Sequence, residues 1–161
     1  MSQAPTAGPP PLRPFGLVLH YDGSWSHEGQ PILNRRIRRA FDRGVRYLAD
    51  EEKFVVQLGH FRGEIEVEES AFFVSEIDVG QGRLRLSDGS YEALDVSSLS
   101  LSERDGALLC RIKVGLRAGG IPARFRHAAQ AELLARVEPK GDAYGIRLLG
   151  QWSRLPDRVV V

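Results

Sequence analysis

The sequence has little of what disulfide bonding or membrane anchoring requires. Its 161 residues include one cysteine, Cys110, which rules out an internal disulfide. Because this cysteine lies in the apolar run 107–110, we interpret it as a small buried side chain of a protein from a reducing compartment. No uncharged run approaches the ~20 residues of a membrane-spanning helix, and the N-terminus lacks the apolar core of a signal peptide. We therefore expect a soluble, cytoplasmic protein.

The familiar motifs of catalysis and metal binding are missing as well. The four histidines show no His-x-x-x-His or His-Glu-x-x-His spacing, and there is no Gly-x-Ser-x-Gly turn and no glycine-rich phosphate loop. The net charge of +1 gives no overall attraction to nucleic acid or to an anionic membrane. We expect no metal, no cofactor and neither of those partners. We also expect no catalysis, unless the fold brings catalytic groups together from separate segments.

Proline is concentrated at the N-terminus, where residues 1–14 hold five of the nine prolines. A segment of this composition, without apolar periodicity, is typical of a disordered or polyproline-like tail. The alternative is a docking motif for a partner that recognises proline-rich segments.

The strongest local pattern predicts a helix over residues 34–49. Asn34 is a suitable N-cap. The apolar face predicted at helical spacing consists of Ile37, Ala40, Phe41, Gly44, Val45 and Leu48. At about 100° per residue, arginines gather on the opposite side, namely Arg35, Arg36, Arg39, Arg43 and Arg46, with Arg38 nearer the boundary.

The first turn of this helix is a candidate anion site. Arg35 and Arg36 lie there, and a helix start with free N–H groups and two guanidinium groups favours a phosphate or carboxylate. The alternative is a solvated arginine face whose surface ion pairs contribute little.

Alternating residues and turn signals predict strands at residues 53–58, 63–68, 71–79, 83–86, 91–96, 98–102 and 107–114. A second helix is predicted from Pro122 to about Val137, because proline suits a first helical position and because Pro139 and Gly141 follow.

The two helices are followed by similar strand pairs. Residues 54–61 and 144–152 share an order of aromatic, β-branched, leucine, glycine and aromatic residues. We therefore predict an α+β fold of two similar lobes, residues 15–79 and 80–161, each an antiparallel sheet with one amphipathic helix.

A row of carboxylates is a further feature of the first lobe. Glu64, Glu66 and Glu68 share one face of a predicted strand, and like charges at this spacing repel unless a cation lies across them. The simplest partners are internal, either the arginine helix or Arg83 and Arg85. A metal is less favoured, because no histidine lies nearby at ligand spacing.

The two tryptophans, Trp25 and Trp152, follow similar turns in the two lobes. Core or interface packing explains both of them. The alternative is that one lines a groove between the lobes, where a planar ring could stack on it.

Three short motifs carry a resemblance. They are Asp22-Gly23-Ser24-Trp25, Gly29-Gln30-Pro31-Ile32 and residues 65–74, which read Ile-Glu-Val-Glu-Glu-Ser-Ala-Phe-Phe-Val. Through them the sequence resembles an uncharacterised bacterial family, domain of unknown function 1285. The third motif matches the family pattern Ile-x-Val-Glu-Asp-x-Pro-Phe, with Glu69 for the usual Asp and Ala71 for the usual Pro.

The resemblance implies a duplicated α+β fold whose second half is similar to a pleckstrin-homology domain. It also implies a ligand pocket between the halves, suited to something nucleotide-like, and a role in signalling. The family has no established activity that could be carried over to this chain.

Together these observations favour a non-catalytic binding or regulatory module in bacterial signalling, which takes a small anionic, nucleotide-like ligand between its lobes. A protein–protein interaction module is the alternative, and a small enzyme is the third possibility. The residues that we expect at the ligand site are Trp25, Arg35, Arg36, Glu66, Glu68 and Trp152.

Overall fold

The structure, a computed structural model, describes residues 14–160. The predicted proline-rich tail lies outside the described residues, apart from Pro14, which begins the first strand. The described residues form fifteen strands, two α-helices and one short 3-10 helix. The α+β class predicted from the sequence is confirmed.

The first six strands form one sheet around a central parallel pair. In chain order they are β1 (Pro14–Leu19), β2 (Trp25–His27), β3 (Gln30–Pro31), β4 (Val45–Leu48), β5 (Lys53–Leu58) and β6 (Phe61–Val67). Their spatial order is β3-β2-β1-β6-β5-β4, so two antiparallel meanders meet where β1 runs parallel to β6. The helix α1 (Arg35–Gly44) lies in the crossover that this parallel pairing requires.

The next six strands repeat this arrangement. They are β7 (Phe72–Asp78), β8 (Arg83–Leu86), β9 (Tyr91–Ala93), β10 (Ser100–Leu101), β11 (Leu108–Ile112) and β12 (Ile121–Phe125). The spatial order is β10-β11-β12-β7-β8-β9, and β7 runs parallel to β12 at the centre. The two sheets therefore share one topology, as expected for similar lobes. Each sheet is antiparallel except for its central pair of strands, which is parallel. The sequence-based prediction of antiparallel sheets did not include a parallel pair.

A shorter third sheet follows the second helix, α2 (His127–Leu134). Its strands are β13 (Glu138–Lys140), β14 (Ala143–Leu148) and β15 (Gln151–Arg154). Because α1 likewise leads directly into the meander β4-β5-β6, a helix followed by a three-stranded meander occurs twice. The segments 54–61 and 144–152, which echo each other in sequence, lie at the corresponding hairpins β5–β6 and β14–β15.

Helix α1 starts after the predicted cap, Asn34, but it ends at Gly44. Val45 and Leu48, which were expected on the apolar face of the helix, belong instead to β4 and pair with β5. A Cβ atom on Gly44 would lie 2.6 Å from the carbonyl oxygen of Gln57. The end of the helix therefore approaches β5 at a point where only glycine fits.

Helix α2 starts at His127, and the prediction that it begins near Pro122 is wrong. Residues 121–125 form β12, in which Pro122 lies opposite Arg111 of β11 but precedes the residues that pair with β7. Proline is tolerated at such an edge position, because no ladder N–H is needed on the unpaired side.

One apolar core runs through both lobes. It includes Trp25, Phe72, Leu133 and Ile146, all of them buried. The predicted lobe boundary at residues 79 and 80 falls within the second sheet, because β7 pairs with β8 and β12. Judged by which strands pair with one another, the first sheet ends with β6 and the second sheet begins with β7.

Candidate functional site

A cleft lies where α1, the β1–β2 turn and the start of α2 meet. Its volume is about 460 Å³, and both lobes contribute to its walls. The charged side chains that line it are five arginines and two aspartates, together with one histidine: Arg35, Arg38, Arg39, Arg124, Arg126, Asp22, Asp42 and His127. We call this space the arginine cleft.

Three of the arginines come from one side of α1, because Arg35, Arg38 and Arg39 are spaced three and four residues apart. Arg35 and Arg39 are exposed, and the side chain of neither forms an ion pair or a hydrogen bond with another described residue. Arg38 is half-buried, and its Nε atom is buried without a hydrogen-bond partner. Since buried polar atoms are nearly always paired, this nitrogen is a donor that an anion would satisfy.

The backbone at the start of α1 is not part of this donor set. The side chain of Asn34 accepts hydrogen bonds from the N–H groups of Arg36 and Ile37, at 3.0 and 3.1 Å. These bonds satisfy two of the first-turn donors that the sequence suggested for an anion. An anion beside α1 is therefore held mainly by guanidinium groups.

The start of α2 borders the cleft without a side-chain cap. Arg126 occupies the N-cap position, and its side chain makes no capping hydrogen bond. An uncapped first turn leaves N–H groups for solvent or a ligand, and the helix dipole adds positive potential there. His127 and Gln130 line the cleft at this point. The arginines of α1 and the positive end of α2 thus border the same space.

Asp42 joins the two lobes across the cleft. Its Oδ1 atom accepts the indole N–H of Trp25 at 2.9 Å, and its Oδ2 atom lies 3.3 Å from Nη2 of Arg126. Burial raises the pKa of the Asp42 carboxyl above its ordinary value, and the hydrogen bond from Trp25 and the charge of Arg126 oppose this rise. A ligand anion would compete with Asp42 for Arg126.

Arg124 connects the cleft to the junction between the sheets. Its guanidinium pairs with Glu69 at 3.3 Å and with both carboxylate oxygens of Asp105. The hydrogen bonds from Arg124 lower the pKa of Asp105. The guanidinium groups of Arg124 and Arg104 each lie 5.3 Å from the ring centroid of Tyr21. Because two carboxylates already neutralise Arg124, we assign its charge to the lobe junction rather than to a ligand.

The β1–β2 turn supplies a carboxylate that is held locally. Asp22 accepts hydrogen bonds from the backbone N–H and the hydroxyl of Ser24, at 3.0 and 2.6 Å. These bonds lower the pKa of Asp22, so this carboxylate stays ionised in neutral solution. The cleft therefore combines several cations with a fixed negative group at one edge.

Of the six residues predicted for the ligand site, Arg35 lies in the lining of the arginine cleft. Trp25 lies behind it, 1% exposed, with its ring centroid 5.4 Å from that of Phe41. Its N–H holds Asp42, so Trp25 positions a cleft residue and has no exposed face for a ligand. Arg36 is exposed on the same helix but is not among the cleft residues.

The other three predicted residues lie elsewhere. Glu66 is exposed on β6, and Glu68 lies beyond the end of that strand, where it hydrogen-bonds to His20. Trp152 lies on β15 with its ring packed against Gly145. The structure does not bring these three side chains to the arginine cleft.

Two of the three carboxylates of the predicted acidic row are paired inside the chain, with partners other than those expected, whereas Glu66 forms no ion pair among the described residues. Glu64 lies 3.5 Å from Lys53, and Glu68 pairs with His20. Neither partner belongs to the arginine helix, and Glu68 does not share the strand.

Most of the cleft was not predicted from the sequence. Arg39 was placed on the arginine face and Arg38 at its boundary, so the helical periodicity indicates the part of the site that lies on α1. The sequence-based prediction placed Arg124 and Arg126 within the second helix, whereas in the structure both residues precede α2. No local signal indicates that β12 brings them to α1, because the parallel pairing with β7 is a tertiary contact.

A second polar constellation lies beside β2. Nε2 of His20 lies 2.7 Å from the hydroxyl of Ser26, and Nδ1 of His20 hydrogen-bonds to Oε1 of Glu68. Serine, histidine and carboxylate in this order are the groups by which serine hydrolases activate a hydroxyl. Ser26 is buried, whereas the His20 side chain is 33% exposed. Sequence motifs miss this arrangement, because its members come from separate segments.

Three further features concern the described residues as a whole. None of the helices within residues 14–160 has the length and apolar character needed to cross a membrane. Across the same residues, no three His, Cys, Asp or Glu side chains are grouped to hold a metal ion. Cys110 is buried, and burial raises the pKa of its thiol to about 12.

Comparison with known proteins finds similarity in structure. No family model matches the chain, and no curated protein does. A crystal structure of a DUF1285 family protein from Silicibacter pomeroyi DSS-3 matches with a TM-score of 0.59 and 20% sequence identity, covering 93% of this chain and 88% of that chain. This chain has the DUF1285 fold.

A second crystal structure agrees with this result. It is of a DUF1285 family protein from Shewanella baltica OS155, with a TM-score of 0.50 and 12% identity, covering 76% of this chain and 91% of that chain. The resemblance found in the sequence motifs is confirmed at the level of the DUF1285 fold. The name of the family states no activity, so function has to be argued from the arginine cleft.

Proposed function

We propose that this DUF1285-like chain is a binding module that holds a small anionic ligand in the arginine cleft. The observation that carries the proposal is the presence of Arg35, Arg38 and Arg39 on one side of α1 without a salt bridge among the described residues. Like charges held together in a concave space repel one another, and a bound anion relieves that repulsion. The uncapped start of α2 adds positive potential across the cleft.

The size and walls of the cleft favour a phosphorylated small molecule over a free inorganic ion. A volume of about 460 Å³ lies within the range of sites for small molecules. Phe73 and Phe125 also line the cleft, although both are nearly buried and therefore offer little apolar surface. The cleft thus has room for an anionic group with a further part attached, as in a nucleotide, and the preference for a nucleotide rests on the family resemblance. A role in bacterial signalling is part of the same proposal and rests on the family resemblance.

A thermal-shift panel tests the proposal. It contains inorganic phosphate, sugar phosphates, nucleoside monophosphates and dicarboxylates at millimolar concentration. A bound ligand must raise the melting temperature, because it binds the folded state alone. We expect the rise with phosphate esters, and we expect its loss in the double variant Arg35→Gln, Arg39→Gln. The control is Arg36→Gln, which removes one positive charge from the same helix outside the cleft. The absence of a shift with every ligand would refute the proposal.

A second candidate function, ester hydrolysis, is favoured by the arrangement of Ser26, His20 and Glu68. In such a reaction the Ser26 hydroxyl attacks the acyl carbon of an ester and passes its proton to Nε2 of His20, which hands it to the departing alcohol as the carbon–oxygen bond of the ester breaks. Water that gives a proton to His20 then attacks the acyl-serine, releases the acid and restores the Ser26 hydroxyl. A fluorophosphonate probe tests this candidate, because it labels an activated serine. Labelling of Ser26 that is lost in His20→Gln would support hydrolysis, and an unlabelled wild-type chain would exclude it.

A protein–protein interaction role, the alternative suggested by the sequence, stays a prediction. The described residues include short strands at the sheet edges, such as β3 and β10, that a partner strand could extend. A pull-down that compares the full chain with one that lacks residues 1–14 distinguishes a role of the proline-rich segment from one of these edges.

A further inference from the structure

Asp42 divides the arginine cleft into two parts. On α1, Arg35 lies two helical turns before Asp42, about 10 Å away along the helix axis, and Arg39 lies one turn before it. Arg126 contacts Asp42 from the other lobe, with 3.3 Å between Nη2 of Arg126 and Oδ2 of Asp42. Because a carboxylate repels an anion, the cleft offers two separate anion positions, one on each side of Asp42.

The first position lies at the arginines of α1. Arg35, Arg38 and Arg39 line the cleft, and none of them has a salt bridge among the described residues. The buried Nε atom of Arg38 has no hydrogen-bond partner in the described part of the chain. Guanidinium groups bind phosphate through charge-assisted and often paired hydrogen bonds. Three of them on one side of a helix are therefore sufficient to hold one phosphate group.

The second position lies where the second lobe meets the cleft, at Arg126, His127 and Gln130. The Arg126 side chain is 45% exposed, so its remaining N–H groups are accessible beside the pair with Asp42. The side-chain oxygen of Gln130 accepts the N–H of Leu108 at 3.0 Å, which leaves the amide N–H groups of Gln130 as donors. These side chains suit a second anion, and the positive end of the α2 dipole adds to their potential.

We infer, on the basis of the proposed function, that the arginine cleft binds a sugar bisphosphate, with one phosphate at the arginines of α1 and the other at Arg126. A sugar is the linker that fits, because carboxylates accept hydrogen bonds from hydroxyl groups and both Asp22 and Asp42 line the cleft. Phe73 and Phe125 are 2% and 3% exposed, so the walls offer little surface on which a planar base could stack.

Two linked phosphates should bind more tightly than one. After the first phosphate is held, the second is confined near its own cations, and its binding becomes intramolecular. A monophosphate fills one position only, and the adjacent phosphates of pyrophosphate are too close together to lie on both sides of Asp42. We therefore expect a hexose that carries phosphates on its first and last carbons to bind at least about tenfold more tightly than either compound.

Calorimetric titration of the full-length chain measures these affinities. The probes are the hexose bisphosphate, the corresponding hexose monophosphate, pyrophosphate, and hexanediol bisphosphate, which has a similar span and no free hydroxyl groups. We expect the hexanediol compound to bind at least about threefold more weakly than the hexose bisphosphate, because it donates no hydrogen bonds to the carboxylates.

Substitutions at the two positions test whether both phosphates are held. The double variant Arg35→Gln, Arg39→Gln weakens the first position. Arg126→Gln weakens the second, and it is compared with Asp42→Asn in an Asp42→Asn background so that no carboxylate loses its partner. Each change should reduce the preference for the bisphosphate over the monophosphate to less than about threefold. The control is Arg117→Gln, which should leave the preference unchanged, because Arg117 is exposed between β11 and β12 and lies outside the cleft.

Three results would overturn the inference while leaving an anion site in place. One is a monophosphate or pyrophosphate that binds as tightly as the hexose bisphosphate. Another is a preference for the bisphosphate that survives both sets of substitutions. The third is hexanediol bisphosphate that binds as tightly as the hexose compound, because it would exclude a role for the sugar. A chain that binds none of the four probes would overturn the proposed function as well.

Discussion

Asp42 and Arg126 bridge the arginine cleft, with 3.3 Å between Oδ2 of Asp42 and Nη2 of Arg126. Asp42 belongs to α1, and Arg126 immediately precedes α2. The indole N–H of Trp25 holds the other oxygen of the carboxylate. The pair thus links the two lobes and at the same time neutralises one cation of the proposed anion site.

The substitution Asp42→Asn should strengthen anion binding. It frees Arg126 and removes a negative charge from the cleft, while the amide oxygen of asparagine still accepts the N–H of Trp25. We expect an affinity about two- to fivefold higher, which corresponds to the 0.5–1 kcal/mol of a partly exposed ion pair. Calorimetric titration measures it. The control is Asp157→Asn, at a highly exposed carboxylate near the C-terminus. An unchanged or weaker affinity in Asp42→Asn would show that this carboxylate does not compete with the ligand.

Anion binding should also depend on pH through Asp42. Burial raises the pKa of this carboxyl, so it begins to protonate at a higher pH than an exposed aspartate. Protonation releases Arg126, and affinity should therefore rise as the pH falls through this pKa. Sulfate is a suitable probe, because its charge is constant over the range. The Asp42→Asn variant should lack this rise in affinity at acidic pH. A wild-type chain whose affinity does not rise at acidic pH would contradict the role given to Asp42.

The Asp42 carboxyl also makes the free energy of unfolding depend on pH. Because its folded-state pKa is raised, Asp42 favours the folded state below the unfolded pKa of about 4, and this contribution is lost as the pH rises through the folded pKa. The free energy of unfolding of Asp42→Asn relative to wild type should therefore be higher at pH 7 than at pH 3.5. Urea unfolding at the two pH values measures the difference, and the opposite order would mean that the pKa is not raised.

The substitution Gly44→Ala should destabilise the protein by about 1–3 kcal/mol, the usual effect of overpacking. The added Cβ would lie 2.6 Å from the carbonyl oxygen of Gln57, and backbone on both sides must move to accommodate it. Gly115→Ala is the control, because a Cβ there meets nothing within 4 Å. Denaturant unfolding of both variants tests the prediction. Equal stability of the two would show that the helix end does not press against β5.

Cys110 should be unreactive in the native protein. Its side chain is 1% exposed, and burial raises the pKa of the thiol to about 12, so almost no thiolate is present at pH 8. An aromatic disulfide reagent should label one thiol per chain only after denaturation. Rapid labelling of the folded chain would contradict this prediction.

Local signals in the sequence predict individual elements well and their ends poorly. Asn34 indicated the start of α1 because capping depends on neighbouring residues. The end of α1 at Gly44 depends on the approach of β5, which no local pattern contains. Pro122 illustrates the same limit, because a proline suits both a first helical turn and a strand edge, and only the pairing with β11 decides between them.

The candidate site could be predicted in part. Helical periodicity placed Arg35 and Arg39 on one side of α1, and the family resemblance suggested a site between the lobes. Arg126 and Asp42 could not be paired in advance, because they lie far apart in sequence and meet only through the packing of the two sheets. Trp25 was expected to contact the ligand, whereas the structure gives it the role of holding Asp42.

The most direct test of the anion-binding account is a calorimetric titration of three full-length chains with a nucleoside monophosphate. The chains are wild type, the double variant Arg35→Gln, Arg39→Gln, and the control Arg36→Gln. Because each lost charged hydrogen bond weakens binding by about 1.5–3 kcal/mol, we predict a loss of affinity of at least about tenfold in the double variant. The control should bind as wild type does. No binding by wild type, or an equal loss in Arg36→Gln, would contradict a ligand site in the arginine cleft.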